Sequence, residues 1–324
     1  MLMVIKSMGG VIAFLTPPHS GGVTVLRKTV LQSAAISLAV LLACMVGVLA
    51  AKPRVAQAMA TLVGAGDIAG CKYTEDSATA RLLGTIPGTV YTLGDNVYTY
   101  GTAAEFRNCY DPTWGKYKNR TKPTAGNHDY YTAGAKPYFD YFGRRAGRPT
   151  QGYYAYDRGA WHIVALNSNC KKVGGCGRRS TQGRWLRRNL ANHRTKCTLA
   201  YFHHPLYSTG NGTPTTNVKP FWRILYNHHA DVILSGHAHR YERFAPITPG
   251  GRVNRESGIR QFIVGTGGNS GGDETNFDQA PGVRVVKLGT PGVLKLDLSA
   301  DSYTWEFVPI AGRTFSDSGA DTCH

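Results

Sequence analysis

The sequence predicts an α/β protein, and three observations carry that expectation. Short apolar runs rich in β-branched and aromatic residues alternate with segments of helical periodicity. Each run stops abruptly at small or polar residues, and the chemically capable side chains gather at those stops. Composition agrees: 324 residues with 42% hydrophobic content suffice for one large core, while 18% charged residues and 39 glycines exclude a coiled coil or a collagen-like repeat.

The first 60 residues read apart from the rest. They hold five bases (Lys6, Arg27, Lys28, Lys52, Arg54) and no acid. Residues 29–51 carry no charge, Arg27-Lys28 precedes them, and Ala58-Met59-Ala60 follows as a small-x-small site. That is the layout of a secretory signal peptide, although an uncharged run of this length could equally stay as a membrane anchor. Leu41-Leu42-Ala43-Cys44 also has the form of a lipidation site, which the apolar run continuing past Cys44 disfavours. The division expected is therefore 1–60 as leader or anchor and 61–324 as the working domain, secreted or held at the cell surface. That domain keeps 32 basic against 20 acidic residues, a net +12.

In order along 61–324, TLVGAG (from Thr61), TVYTL (Thr89), WHIVAL (Trp161), TLAYF (Thr198), DVILSG (Asp231) and QFIVGTG (Gln261) read as buried strands. Helices are expected over Ser77–Leu83, Thr181–Asn192 with Ser180 as its cap, and Val218–His229. GVLKLDL and SYTWEFV alternate in period two around residues 299–302 and predict a hairpin. Six cysteines remain once Cys44 is set aside. An even count behind an export signal suggests three disulfides, and the absence of any Cys-x-x-Cys pair disfavours zinc. Spacing favours Cys170 with Cys176; we expect Cys71 with Cys109, which leaves Cys197 with Cys323.

The chemistry sits where the strands stop. Asp67 follows TLVGAG; Asp95, Asn96 and Tyr98 follow TVYTLG; Asn127, His128 and Asp129 follow KPTAG; His203 and His204 follow TLAYF; His237 and His239 follow DVILSG. In open α/β sheets ligands bind at the carboxyl ends of strands, so these five clusters can converge. Two carboxylates, a phenol, a carboxamide and three imidazoles exceed the needs of one tetrahedral zinc. They suit two metal ions sharing a bridging carboxylate, the usual equipment for hydrolysing phosphate esters.

The ordered set GDIAG, GDNVY, GNHD, HHP and GHAH resembles the calcineurin-like metallophosphoesterases, and within them the purple acid phosphatase branch. Ala69 stands where many members carry a His, and Tyr98 stands three residues after Asp95, a lost imidazole and a gained phenol that match that branch. The resemblance implies a four-layer α/β/β/α sandwich. It implies Asp67, Asp95, Tyr98 and His239 on a first metal, Fe(III), and Asp95, Asn127, His203 and His237 on a second, divalent metal (Zn, Mn or Fe), with Asp95 as the bridge. Pro205 two residues on selects His203 over His204, which is expected to pack or to support the ligands. His128 is the candidate for contacting phosphate or protonating the leaving oxygen, with Asp129 either orienting it or lying in a surface turn. Plant-type members place another His after His-x-Pro; LYSTGNGTP here has none.

The activity so implied is hydrolysis of phosphomonoesters by hydroxide generated between the metals, with a phosphodiesterase as alternative. A secreted protein binding anionic polymers through an inactive site is the alternative of a different class. The expected partner is a small phosphorylated substrate and not nucleic acid, with membrane contact only if the apolar segment is retained; oligomeric state is not legible. His162, His193, His228 and His229 fall inside strand or helix patterns and read as structural. Arg178, Arg179, Arg184, Arg187 and Arg188 read as a solvated face, and the glycine-rich stretch from Gly265 to Glu274 as a loop near the site.

Overall fold

Alternation of apolar runs with polar stops yields two mixed sheets, each with a parallel part continued by antiparallel strands. The computed structural model describes residues 59–324 apart from 73, 194, 211–214 and 270–279. Residues 1–58 of the expected leader, and residues 270–274 of the glycine-rich loop, lie outside the described residues. What is described falls within one unit, Ala56–His324.

The first sheet runs in the order β15-β14-β13-β1-β3-β5. Its parallel part is β1 (Ala60–Ala65), β3 (Thr89–Leu93) and β5 (Thr121–Thr124). The expected hairpin forms β13 (Gly292–Leu298) and β14 (Ser302–Pro309), and β15 (Asp317–Thr322) completes that margin. Pro123 sits in β5, tolerated because β5 is an edge strand. Beyond the ends of β1 and β3, β2 (Ala69–Gly70) and β4 (Val97–Tyr98) pair as a small ribbon.

The second sheet runs β12-β10-β11-β9-β8-β7-β6. Its parallel core is β7 (Trp161–Ala165), β8 (Cys197–Tyr201), β9 (Val232–Ser235) and β11 (Ile259–Val264). The antiparallel strands β6 (Tyr154–Arg158), β10 (Tyr241–Ile247) and β12 (Val283–Lys287) add to those the sequence predicts. In β6 and β12 half-exposed positions dilute the apolar run that marks a buried strand, and in the buried β10 the charged Glu242 and Arg243 interrupt it.

Aromatic side chains fill the space between the sheets. Tyr91 meets Tyr201, Trp161 meets Tyr303 and Phe262 meets Trp305, with ring centroids 5.6–6.0 Å apart. Helix α1 (Glu75–Thr85) buries Ala80 and Leu83 against the first sheet. Residues 106–120, which carry no helical signal in the sequence, form tight turns that bring Trp114 Nε1 within 3.0 Å of Thr79 Oγ1. A short helix α2 (Lys136–Phe142) follows. Helices α3 (Thr181–Asn192) and α4 (Lys219–Asn227) pack Leu186, Leu190, Phe221, Trp222 and Leu225 on the outer face of the second sheet, against Val164, Ala200 and Ile233. Layers therefore follow the order helix, sheet, sheet, helix. All three expected cysteine pairs form, the longest joining Cys197 to Cys323 across 126 residues. No helix among the described residues is long and apolar enough to cross a membrane.

Candidate metal centre

The parallel strands of both sheets end at the same place. The two sheets are stitched there by Gly66 N–H donating to the Val264 carbonyl at 2.8 Å and Gly267 N–H donating to Gly66 O at 2.9 Å. Asp67 and Asp95 follow β1 and β3, and Asn127 and His128 follow β5. His203 follows β8, and His237 and His239 follow β9. Asp67, Asp95 and His237 adopt positive φ (58°, 47° and 69°), which strains non-glycine backbone and turns each side chain sharply off its strand axis. Gly126 is required beside them: a Cβ there would collide with the Asp95 carboxylate.

Each carboxylate is tied down through one oxygen and presents the other. Asp67 Oδ2 accepts the His237 backbone N–H at 2.8 Å, and Asp95 Oδ1 accepts that of His128 at 2.8 Å. Asp67 Oδ1 lies 2.9 Å from Tyr98 Oη and 3.3 Å from His239 Nε2. Asp95 Oδ2 lies 3.2 Å from Tyr98 Oη on one side and 3.3 Å from His203 Nε2 on the other. His203 Nε2 is also 3.0 Å from Asn127 Oδ1 and 3.2 Å from His237 Nδ1. All seven residues expected as ligands thus join in one connected set, with the Asp95 Oδ2 atom common to both halves.

The hydrogen-bond chemistry of that set favours cations. His203 Nδ1 sits 2.7 Å from the Leu93 carbonyl, which can only accept, so Nδ1 carries the proton and Nε2 offers its lone pair inward. That lone pair then faces Asn127 Oδ1 and Asp95 Oδ2, both acceptors, an arrangement that is repulsive unless positive charge lies among them. Asp67, Asp95 and His203 offer ligand atoms within 4.8 Å of one another, as one metal ion requires, and His203, His204 and His237 do the same. Without such charge a proton must serve. Burial opposes ionisation of both Asp95 and His203, but their mutual attraction prevails, holding Asp95 below the usual carboxylate range and raising His203 to about 9. Burial and the neighbouring Asp67 and Asp95 carboxylates push the Tyr98 phenol well above its ordinary value.

Exposure divides the site into floor and rim. Asp67, Asp95, Tyr98 and His203 are buried, whereas Asn127, His128, His204, His237 and His239 keep partial access. His128 lies over Tyr98, with ring centroids 4.5 Å apart. Its Nδ1 is 2.7 Å from the Thr99 carbonyl, which leaves Nε2 toward the centre, 4.0 Å from Asp95 Oδ2. His204 is held by Ser168, whose Oγ accepts its N–H at 3.0 Å and meets its Nδ1 at 2.8 Å, and its ring lies 4.6 Å from that of His237.

Asp129 departs from expectation. It is fully buried, and its Oδ2 accepts from Gly126 N at 2.8 Å and Asn96 Nδ2 at 3.0 Å, so it braces the loop that carries Asn127. Burial and then repulsion from Asp95 raise it to about 7. The Thr99 carbonyl, not Asp129, orients His128; a backbone acceptor leaves no mark in a side-chain pattern. The buried Asn167-Ser168-Asn169 cluster is a further group that sequence reasoning misses, although it follows β7 as the other clusters follow their strands.

A two-sheet α/β sandwich with carboxylates, a phenol and imidazoles pooled at its strand ends defines the class of metal-binding phosphoesterase folds. Residues 61–241 match the family described as calcineurin-like phosphoesterase, and the chain belongs to that family. It is 25% identical over 284 residues to purple acid phosphatase 15 of Arabidopsis thaliana, taking in 75% of this chain and 51% of that protein. It is 30% identical over 142 residues to purple acid phosphatase 22 of the same plant, taking in 40% and 30%. The chain therefore spans about half or less of the length of these curated relatives. Among solved structures it resembles a purple acid phosphatase, PPD1, from yellow lupin seeds (TM-score 0.62, 16% identity, 82% of this chain and 54% of that one). It also resembles GAP50, described as the anchor in the inner membrane complex of Plasmodium (TM-score 0.63, 13% identity, 82% and 89%). At these identities the structures speak for the fold alone.

Proposed function

We propose that this chain is an exported phosphoesterase acting on phosphomonoesters through a dinuclear metal centre. The observation that carries the reading is the position of Asp95 Oδ2, within 3.3 Å of both Tyr98 Oη and His203 Nε2, where one carboxylate oxygen can serve two ions. Asp67, Asp95, Tyr98 and His239 would hold a ferric ion, since anionic oxygens suit a hard cation. Asp95, Asn127, His203 and His237 would hold a divalent one (Zn, Mn or Fe). When bound, such a pair activates water for attack on phosphorus and offsets the charge of the phosphate oxygens.

The remaining chemistry belongs to the chain. Floor residues fix the presented oxygens, because Asp67 and Asp95 each spend their other oxygen on a backbone N–H. His128, held through Nδ1 by Thr99 O, directs Nε2 toward the space above Asp95, where it can contact a phosphate oxygen or, when protonated there, supply a proton to the leaving oxygen. Export is supported by three disulfides in a domain that follows an apolar, base-flanked leader.

The test is metal analysis of the purified protein together with turnover of matched mono- and diesters. Close to two ions per chain and a preference for monoesters are expected. One ion or none defeats the dinuclear reading, and a diester preference replaces the substrate class while leaving the centre intact.

A further inference from the structure

The arginine run that the sequence presents as a solvated face does not lie flat. Arg187 and Arg188 on α3, Arg223 on α4 and Arg178 ahead of α3 line a cleft of about 830 Å³ between the two helices, floored by Pro220 and Ile224. The spacing explains the convergence. Arg187, Arg188 and Ala191 share one face of α3, while Pro220, Arg223, Ile224 and Asn227 share one face of α4, and the two faces oppose each other across the cleft.

No carboxylate lines this cleft among the described residues. Among the described residues these four arginines form no ion pair, and Arg187 Nε is buried without a hydrogen-bond partner. The contrast with the other arginine-rich hollow is direct. There two of the four arginines are answered internally, Arg243 by Asp317 at 2.7 Å and Arg260 by Asp321 at 2.6 Å. Burial first, and then His229 and Arg187 nearby, hold His228 at the edge of this cleft below its ordinary range.

Arg188 is also a wall of a second cleft, of about 840 Å³, which adds Arg144 and Arg148 and the packed rings of Tyr153 and Trp185. Six arginines therefore line two hollows that share Arg188, with Asp157 the single acid among their described lining residues, and Asp157 is already engaged by His162 Nδ1 at 2.7 Å. None of these residues belongs to the candidate metal centre. A single small anion would need one hollow; a row of cations spread over two fits a chain of anions.

We propose that these two clefts, which share Arg188 as a wall, bind a linear polyphosphorylated chain, separately from the metal centre. Guanidinium groups match phosphate oxygens in bidentate geometry, which favours phosphate as the repeating anion. The site would hold a polymer against the enzyme without taking part in the chemistry.

The probe is inorganic polyphosphate of defined length, followed by fluorescence anisotropy against the full chain at several salt concentrations. Long chains should bind at least tenfold more tightly than tripolyphosphate. The double variant R187E/R223E should weaken that binding and reduce the slope of log affinity against log salt by about two, roughly one for each guanidinium removed from a phosphate. The milder R187Q/R223Q should show the same reduction. Both variants should turn over a small chromogenic phosphomonoester at the rate of the parent. Equal affinity for long and short chains, an unchanged salt slope, or equally tight binding of heparin would overturn the proposal. Loss of monoester turnover together with polyphosphate binding would also overturn it, by moving the binding to the metal centre or to the fold.

Discussion

The sheet built on β1, β3 and β5, with the ribbon beyond it, brings oxygen to the candidate centre: Asp67, Asp95, Tyr98 and Asn127. The sheet built on β8 and β9 brings nitrogen: His203, His237 and His239. The two sets are also built differently. Three of the four oxygen donors sit deep, and the two carboxylates are fixed by backbone N–H groups, whereas two of the three imidazoles lie on the partly open rim. Neither sheet could form the site alone, since Asp67 of one is held by the His237 N–H of the other. A pocket assembled in this way has two unlike halves, one hard and anionic and one neutral and softer, which is the condition for selecting two different ions.

Breaking the atom common to both halves should have the largest effect. Asp95→Asn keeps the shape of the side chain and an oxygen for the His128 N–H, but puts a neutral amide where Oδ2 stood. Loss of an outer partner of a metal ligand costs roughly 10–100-fold in metal affinity or activity, and a ligand shared by two ions should cost more. We expect turnover of a phosphomonoester to fall beyond that range, metal content to fall below two per chain, and the circular dichroism spectrum to stay native. Activity within tenfold of the parent would show that the halves do not meet at Asp95.

Variants confined to one half should separate the two. Tyr98→Phe removes the only phenol in the set, so the visible charge-transfer absorption expected of a ferric phenolate should vanish while the nitrogen half still binds its divalent ion. His203→Ala should do the reverse, keeping the colour and losing the divalent ion. Iron-loaded protein is measured by absorption and by metal content in parallel. Bleaching in His203→Ala with colour retained in Tyr98→Phe would invert the assignment of the halves.

The difference between the sheets also decides how much of each is legible in the sequence. TVYTL and the α3 segment Thr181–Asn192 are legible to the residue because each is either continuously apolar or cleanly periodic. The strand-end rule, which depends only on where an apolar run stops, then brings Asp67, Asp95, His203, His237 and His239 to one place, whereas Asn127 follows β5, whose TKPT is no apolar run. Margins are harder. In β6 and β12 nearly every residue is half exposed, and β15 is SGA-rich with alternating burial, so the local pattern does not separate them from loops. Residues 106–120 coil into tight turns whose register is set by tertiary contacts, Phe106 against Tyr141 and Trp114 against Thr79, between partners far apart in sequence. Asp129 escapes the sequence for the same reason: a carboxylate in a Gly-Asn-His-Asp turn looks exposed until β5 and the Asn96 loop close over it.

The smallest effect concerns the outer cover of the nitrogen-bearing sheet. Ser180 accepts the Gly183 N–H at 3.0 Å and caps α3, the helix that packs Leu186 and Leu190 on that sheet. Ser180→Ala leaves an N–H of the first turn unanswered, at a cost of about 1 kcal/mol. For a domain of this size that corresponds to a fall in Tm of roughly 2–4 °C. The cap is remote from the presented oxygens, and the oxygen half has its own supports, so kcat/KM should not change. Gln182, the second residue of the same helix, holds Asn167 through two bonds, its Oε1 accepting Asn167 N–H at 2.8 Å and its Nε2 donating to Asn167 O at 2.9 Å. Asn167 adjoins Ser168, which carries His204 on the rim. A fall in kcat/KM for Ser180→Ala would therefore mean that the start of α3 is coupled to the rim through Gln182, and that the nitrogen half depends on its outer helices in a way the oxygen half does not.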